Sequence, residues 1–145
     1  MAKALISYQD TALWVDPEVL AVWLSTVALN FGVLESPDQA WLDELQHEFL
    51  VSRWFAGSNT LSINFDDILI CEVIAIALYA DFARVARMFE DMAPTIPGAV
   101  FDVLGFERGS VSDDAEVFID IGKIFMEIFE NALQQQPWRQ KPFSN

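Results

Sequence analysis

The chain has 145 residues, of which 53% are apolar, including twelve Phe and five Trp. A chain of this length and content buries a core of its own, which excludes a disordered tail. Its 22 Asp and Glu stand against eight Lys and Arg, for a net charge of −14, so direct nucleic-acid binding and adsorption to anionic membranes are both disfavoured.

The N-terminal stretch Met1 to Asp10 lacks a long apolar run and a cleavage site, so no signal peptide is expected there. Asp16-Pro17-Glu18 reads as an N-cap, a first-turn proline and an acid on the helix dipole. The helix it opens is expected to run to about Phe31 and stop at Gly32. Leu20, Trp23, Leu24, Val27 and Phe31 fall at helical spacing, and Val19, Val22 and Leu29 make the helix apolar on most sides. Such a helix is central or covered by a partner.

Ser36-Pro37-Asp38-Gln39 starts a second helix with a capping-box glutamine, expected to reach Phe55 and end at Gly57. Trp41, Leu42, Leu45 and Phe49 form its stripe, with Asp43, Glu44, His47 and Glu48 on the wetter side. Leu61, Ile63 and Phe65 alternate with Ser62 and Asn64, which permits a short strand. Its partner is either Ala4 to Tyr8 or absent, the N-terminus then being helical.

Asn64 reads as the cap of a third helix running to Met92, with Asp66 and Asp67 in its first turn and Pro94 and Pro97 beyond its end. The apolar run Ile68 to Ala80, interrupted by Glu72, is thirteen residues, too short to span a bilayer and suited to a buried helix. Asp81–Arg84, Arg87–Glu90 and Arg87–Asp91 are spaced to pair on its surface. Pro97-Gly98 opens a short apolar element, Ala99 to Leu104, closed by Gly105, and Gly105 to Ser112 is a loop. Ser112 caps the last long helix, Asp113 to Gln135, which Pro137 ends. The expected fold is therefore all-α: a single acidic helical domain over residues 1–145, with four main helices, a short fifth element, at most a minor two-stranded pairing, and a tail at 137–145.

The last helix carries the clearest functional signal. At 100° per residue, Asp113, Glu116, Asp120, Lys123, Glu127 and Glu130 fall within about a third of the circle. Val117, Phe118, Ile119, Ile121, Ile124, Phe125, Met126, Ile128 and Phe129 fill the rest. The first third of the chain is acidic as well: between Lys3 and Arg53 there are eight acids and neither Lys nor Arg. First-turn acids such as Asp16, Glu18, Asp38, Asp66, Asp67, Asp113 and Asp114 are explained by the helix dipole, whereas Glu44, Glu48, Asp120, Glu127 and Glu130 are not. Solubility needs a net charge of only about 2–8 in magnitude, and the surplus suits steering and holding a basic surface. The candidate partner-binding residues are Asp113, Glu116, Asp120, Glu127, Glu130, Glu44 and Glu48.

No catalytic pattern competes with this reading. Glu44-Leu45-Gln46-His47 matches one half of a di-iron element, but His47 is the sole histidine. One His and one Cys leave zinc short of ligands, and Cys71 within an apolar run reads as a small inert hydrophobe. Glu72, alone in that run, is the candidate for a working buried carboxylate if the chain were an enzyme. No catalytic residue, metal or cofactor is expected.

In size, charge and lack of a catalytic motif the chain resembles the small acidic immunity proteins of bacterial toxin systems, of the colicin and contact-dependent growth-inhibition types. The resemblance rests on the −14 charge, the Lys3–Arg53 gap in basic residues and the ribbon from Asp113 to Glu130. It implies a cytoplasmic inhibitor that neutralises a basic toxin domain, such as a nuclease, by direct binding. Trp41, Trp54 or Trp138 would then anchor the contact. Phage-encoded inhibitors that mimic DNA share these features. The alternative is a self-associating structural or regulatory helical module, a homodimer held by the apolar helix from Pro17 to Phe31.

Overall fold

A computed structural model describes residues 3–30, 39–52, 61–106 and 113–140, with the backbone alone at 39–42 and 139–140. Its first element is a hairpin. β1 (Ala4–Tyr8) and β2 (Thr11–Val15) pair antiparallel, Ala4 opposite Val15 and Tyr8 opposite Thr11. The turn is Gln9-Asp10, and Gln9 takes a left-handed φ of 51°. Asp66 holds that turn, its carboxylate accepting the Gln9 N–H at 2.9 Å. β3 (Ser62–Asn64) joins the other side of β1 in parallel, giving a sheet of order β2-β1-β3. Alternation sorts the side chains: Ala4, Ile6, Tyr8 and Ile63 are buried on one face, while Ser62, Asn64, Ala12 and Trp14 are exposed on the other.

Asp16 opens α1 (Pro17–Leu29), its carboxylate accepting the N–H groups of Glu18 at 2.8 Å and Val19 at 3.1 Å. Every residue from Val19 to Ala28 is buried, so this helix is the central one and its apolar girth is covered by its own chain. α2 (Gln39–Val51) lies against it, with Leu45 and Phe49 buried and Ser52 donating to Phe49 O at 2.6 Å. α3 (Glu72–Met92) and α5 (Ala115–Gln135) form the other large contact. They run antiparallel, as Phe89 meets Phe118 at one end and Phe82 meets Phe129 further along. Between them lie β4 (Thr95–Ile96), α4 (Gly98–Val103) and β5 (Asp113–Asp114), β4 pairing with β5. α6 (Pro137–Gln140) follows α5.

The core centres on Trp23. Its ring packs 5.0 Å from Phe89 and 5.1 Å from Phe125, centroid to centroid. Its indole N–H donates to Phe118 O at 2.9 Å. Phe82 joins Phe65, Phe125 and Phe129 in the adjoining layer. Such aromatic contacts add about 0.5–1.5 kcal/mol each beyond the area they bury.

The fold is mixed, largely helical with two small sheets, which corrects the expected all-α bundle. The Ala4–Tyr8 to Leu61–Phe65 pairing forms, but β2 widens it to three strands and β4–β5 adds a second sheet. Two helix starts are also corrected. Asn64 caps a turn, not α3: its side-chain oxygen accepts Asp66 N–H at 3.0 Å, and Leu69 N–H returns to Phe65 O at 2.8 Å. α3 begins at Glu72 after an extended Cys71, φ −157°. α5 begins at Ala115, because Asp113 and Asp114 are strand residues and Asp114 is the cap, accepting Glu116 N–H at 3.0 Å. The expected ends at Phe31 and Phe55, the caps at Ser36 and Ser112, and residues 141–145 of the tail lie outside the described residues.

Candidate protein-binding surface

α5 is amphipathic at helical period. Phe118, Ile121, Gly122, Phe125, Phe129 and Ala132 are buried, which turns the opposite side outward. Glu116, Asp120, Lys123, Glu127 and Glu130 are all exposed on that side. Asp81 and Arg84 form an ion pair at 3.0 Å, whereas among the described residues no ribbon carboxylate is paired with a basic side chain. Glu130 has a neutral neighbour, the Tyr79 hydroxyl donating to it at 3.4 Å. Asp113 does not belong to the helical ribbon. It is half-buried opposite Ile96 in β5, and its carboxylate accepts Asp114 N–H at 2.8 Å. The Arg87–Glu90 and Arg87–Asp91 pairs do not form.

Glu44 and Glu48 are exposed on α2 and belong to a different place. With Asp67 and Ile68 they border a groove of about 250 Å³. The groove at α5 is separate and of about 220 Å³, lying between that helix and the inner face of the hairpin, with Glu127, Asn131 and Leu13 among its walls. The seven acids therefore divide into a ribbon of four on α5, Asp113 in β5 and a pair on α2.

Two apolar exposures were not singled out from the sequence. Trp14 is 63% exposed on the outer face of β2, and Leu13 is 39% exposed on the groove side. Val73 and Ile76 on α3, with Ile70 just before it, make an exposed apolar ridge. The signal for Trp14 was present in Thr11 to Val15, a neutral run between Asp10 and Asp16. The proposed anchors fare differently. The side chains of Trp41 and Trp54 lie outside the described residues, and Trp138 is half-buried against the core, its indole N–H without a partner among the described residues.

Cys71 is half-buried at the start of α3, outside the helix in which it was expected. Glu72 occupies the first turn of α3, where a carboxylate meets the positive end of the dipole. His47 is exposed on α2. Burial pushes the Tyr8 phenol above its usual range, and the nearby Asp66 carboxylate adds to the shift. Among the described residues no three His, Cys, Asp or Glu side chains gather as metal ligands, and no helix is long and apolar enough to cross a membrane.

No family model, curated protein or solved structure matches the chain. Its functional reading accordingly rests on the surface itself.

Proposed function

We propose that the chain is an inhibitor that binds a basic partner protein, as immunity proteins of bacterial toxin systems do, and that it acts in the cytoplasm by occupancy and without catalysis. The observation that carries this reading is the exposed ribbon of Glu116, Asp120, Glu127 and Glu130, with no basic partner among the described residues along about four turns of helix. Because the helix is already packed, no backbone has to order when these carboxylates meet Lys and Arg, and their common field speeds encounter. Tyr79 beside Glu130 and the groove beside Glu127 add contact surface to the charge.

The test starts from the basic protein recovered on this chain from a lysate of the cells that make it. Replacing Asp120, Glu127 and Glu130 together by Lys is expected to slow association by tenfold or more, since steering contributes about 10–10³ to on-rates. It is also expected to flatten the salt dependence while leaving the circular dichroism unchanged. Unaltered association in that variant would remove α5 from the interface.

A second reading, self-association, now rests on the α3 ridge of Ile70, Val73 and Ile76, since α1 is buried within the chain. Sedimentation decides it: a mass that rises with concentration and reverts in Val73→Asp supports a dimer, and a constant monomer mass ends the idea.

A further inference from the structure

Among the described residues the three-stranded sheet ends in an open edge. β2 pairs with β1 and, among the described residues, with no other strand. Leu5 N–H donates to Leu61 O at 3.2 Å, and Ser7 O accepts Phe65 N–H at 2.9 Å. Leu5 and Ser7 thus turn their main-chain groups toward β3. Main-chain direction alternates along a strand, so Ala4, Ile6 and Tyr8 turn theirs toward β2, opposite Val15, Leu13 and Thr11. This leaves the N–H and C=O groups of Ala12 and Trp14 aimed away from β1, on exposed residues. Open edges are commonly blunted by lysine, proline or a bulge. The run Thr-Ala-Leu-Trp-Val has neither residue, and its register with β1 is unbroken from end to end.

We infer that this edge receives an extended, basic segment of the partner protein as a fourth strand. The inference rests on the inhibitor reading above and gives it a second contact, continuous with the first through Glu127. The main chain of the segment pairs with Ala12 and Trp14. Its side chains alternate: one set lies beside Trp14 on the outer face, and the other enters the groove that Leu13 shares with Glu127 and Asn131. Charge selects the occupant. Exposed Asp10 and Asp16 flank the strand and Glu127 stands across the groove. These carboxylates attract lysine or arginine, and they repel a second copy of a chain whose own charge is −14.

Amide hydrogen exchange on the full chain tests this, with an alternating Lys-Val peptide as the probe and an alternating Glu-Val peptide as the control. The Lys-Val peptide is expected to slow exchange at Ala12 and Trp14 by about tenfold or more, as a newly bonded strand does, and the Glu-Val peptide to leave it unchanged. Ala12→Pro removes an edge donor without taking a bond from β1, and the protection should vanish in it. Glu127→Gln keeps the strand intact and should weaken the peptide severalfold, so the inference does not depend on the proline variant folding. A peptide that perturbs Asp120 and Glu130 but leaves Ala12 and Trp14 unprotected overturns strand addition and spares the α5 reading. A peptide that perturbs neither overturns it too. Protection that grows with protein concentration alone makes a second copy the occupant, which also overturns it.

Discussion

Gly122 shows how little room the core leaves at single positions. A Cβ placed there would stand 2.9 Å from Cζ2 of Trp23 and 3.3 Å from Cη2. The indole cannot swing aside, because its N–H is bonded to Phe118 O and its ring is packed between Phe89 and Phe125. Overpacking of this kind costs about 1–3 kcal/mol, against a helix-propensity gain of at most about 1 kcal/mol. Gly122→Ala is therefore expected to lower the urea midpoint; an unchanged midpoint would show slack around Trp23. Tyr8 sets a second expectation. Its phenol is held neutral in the folded chain, with its pKa raised above the unfolded value of 10.0. The stability tied to that shift is complete below pH 10.0 and lost as pH rises through the folded value. Tyr8→Phe should accordingly lose less stability than the parent between neutral and strongly alkaline pH, as followed by denaturant titration.

Among elements, the starts differ in how plainly the residues announce them. Asp16 caps α1 in both reading and structure, with two N–H groups on its carboxylate. Asp16→Ala should cost about 0.5–2 kcal/mol, read as a fall in thermal midpoint. The amphipathic period of α5 was equally legible, because one helix face can be computed from one stretch of chain. The hairpin was not. A two-residue turn is usually announced by Asn-Gly or Asp-Gly, and here Gln9 adopts the left-handed conformation instead, helped by the Asp66 carboxylate from far along the chain. Asn64 was read correctly as a cap but assigned to the wrong structure, since an Asx turn and a helix start share the same local chemistry. β4 and β5 are two residues each, too short for any period to show. The grouping of acids was hidden for a different reason: Glu48 and Asp67 line one groove only once α2 lies beside the turn after β3, a tertiary fact with no local signature.

At the scale of the molecule, 22 acids stand against eight basic residues that could neutralise them. Self-repulsion must lower the stability of the compact state, and salt screens it, with a Debye length of about 10 Å at 0.1 M. The thermal midpoint is expected to rise between low salt and 0.3 M NaCl on the order of a few degrees; a midpoint that stays level would mean that the carboxylates are spaced widely enough not to feel one another. The same molecule has a particular order of assembly. Phe118, Phe125 and Phe129 reach the centre of the core from α5, while their neighbours Trp23, Phe65 and Phe82 come from much earlier in the chain. A ribosome making this protein thus releases the hairpin, α1 and most of α3 before the α5 side chains that close over them have left the exit tunnel. Until α5 emerges, the indole of Trp23 has no Phe118 carbonyl to bond, and the largely apolar α1 is covered only in part. A nascent chain halted before α5 should therefore be open to protease throughout, and protection should arrive in one step as that helix clears the exit tunnel.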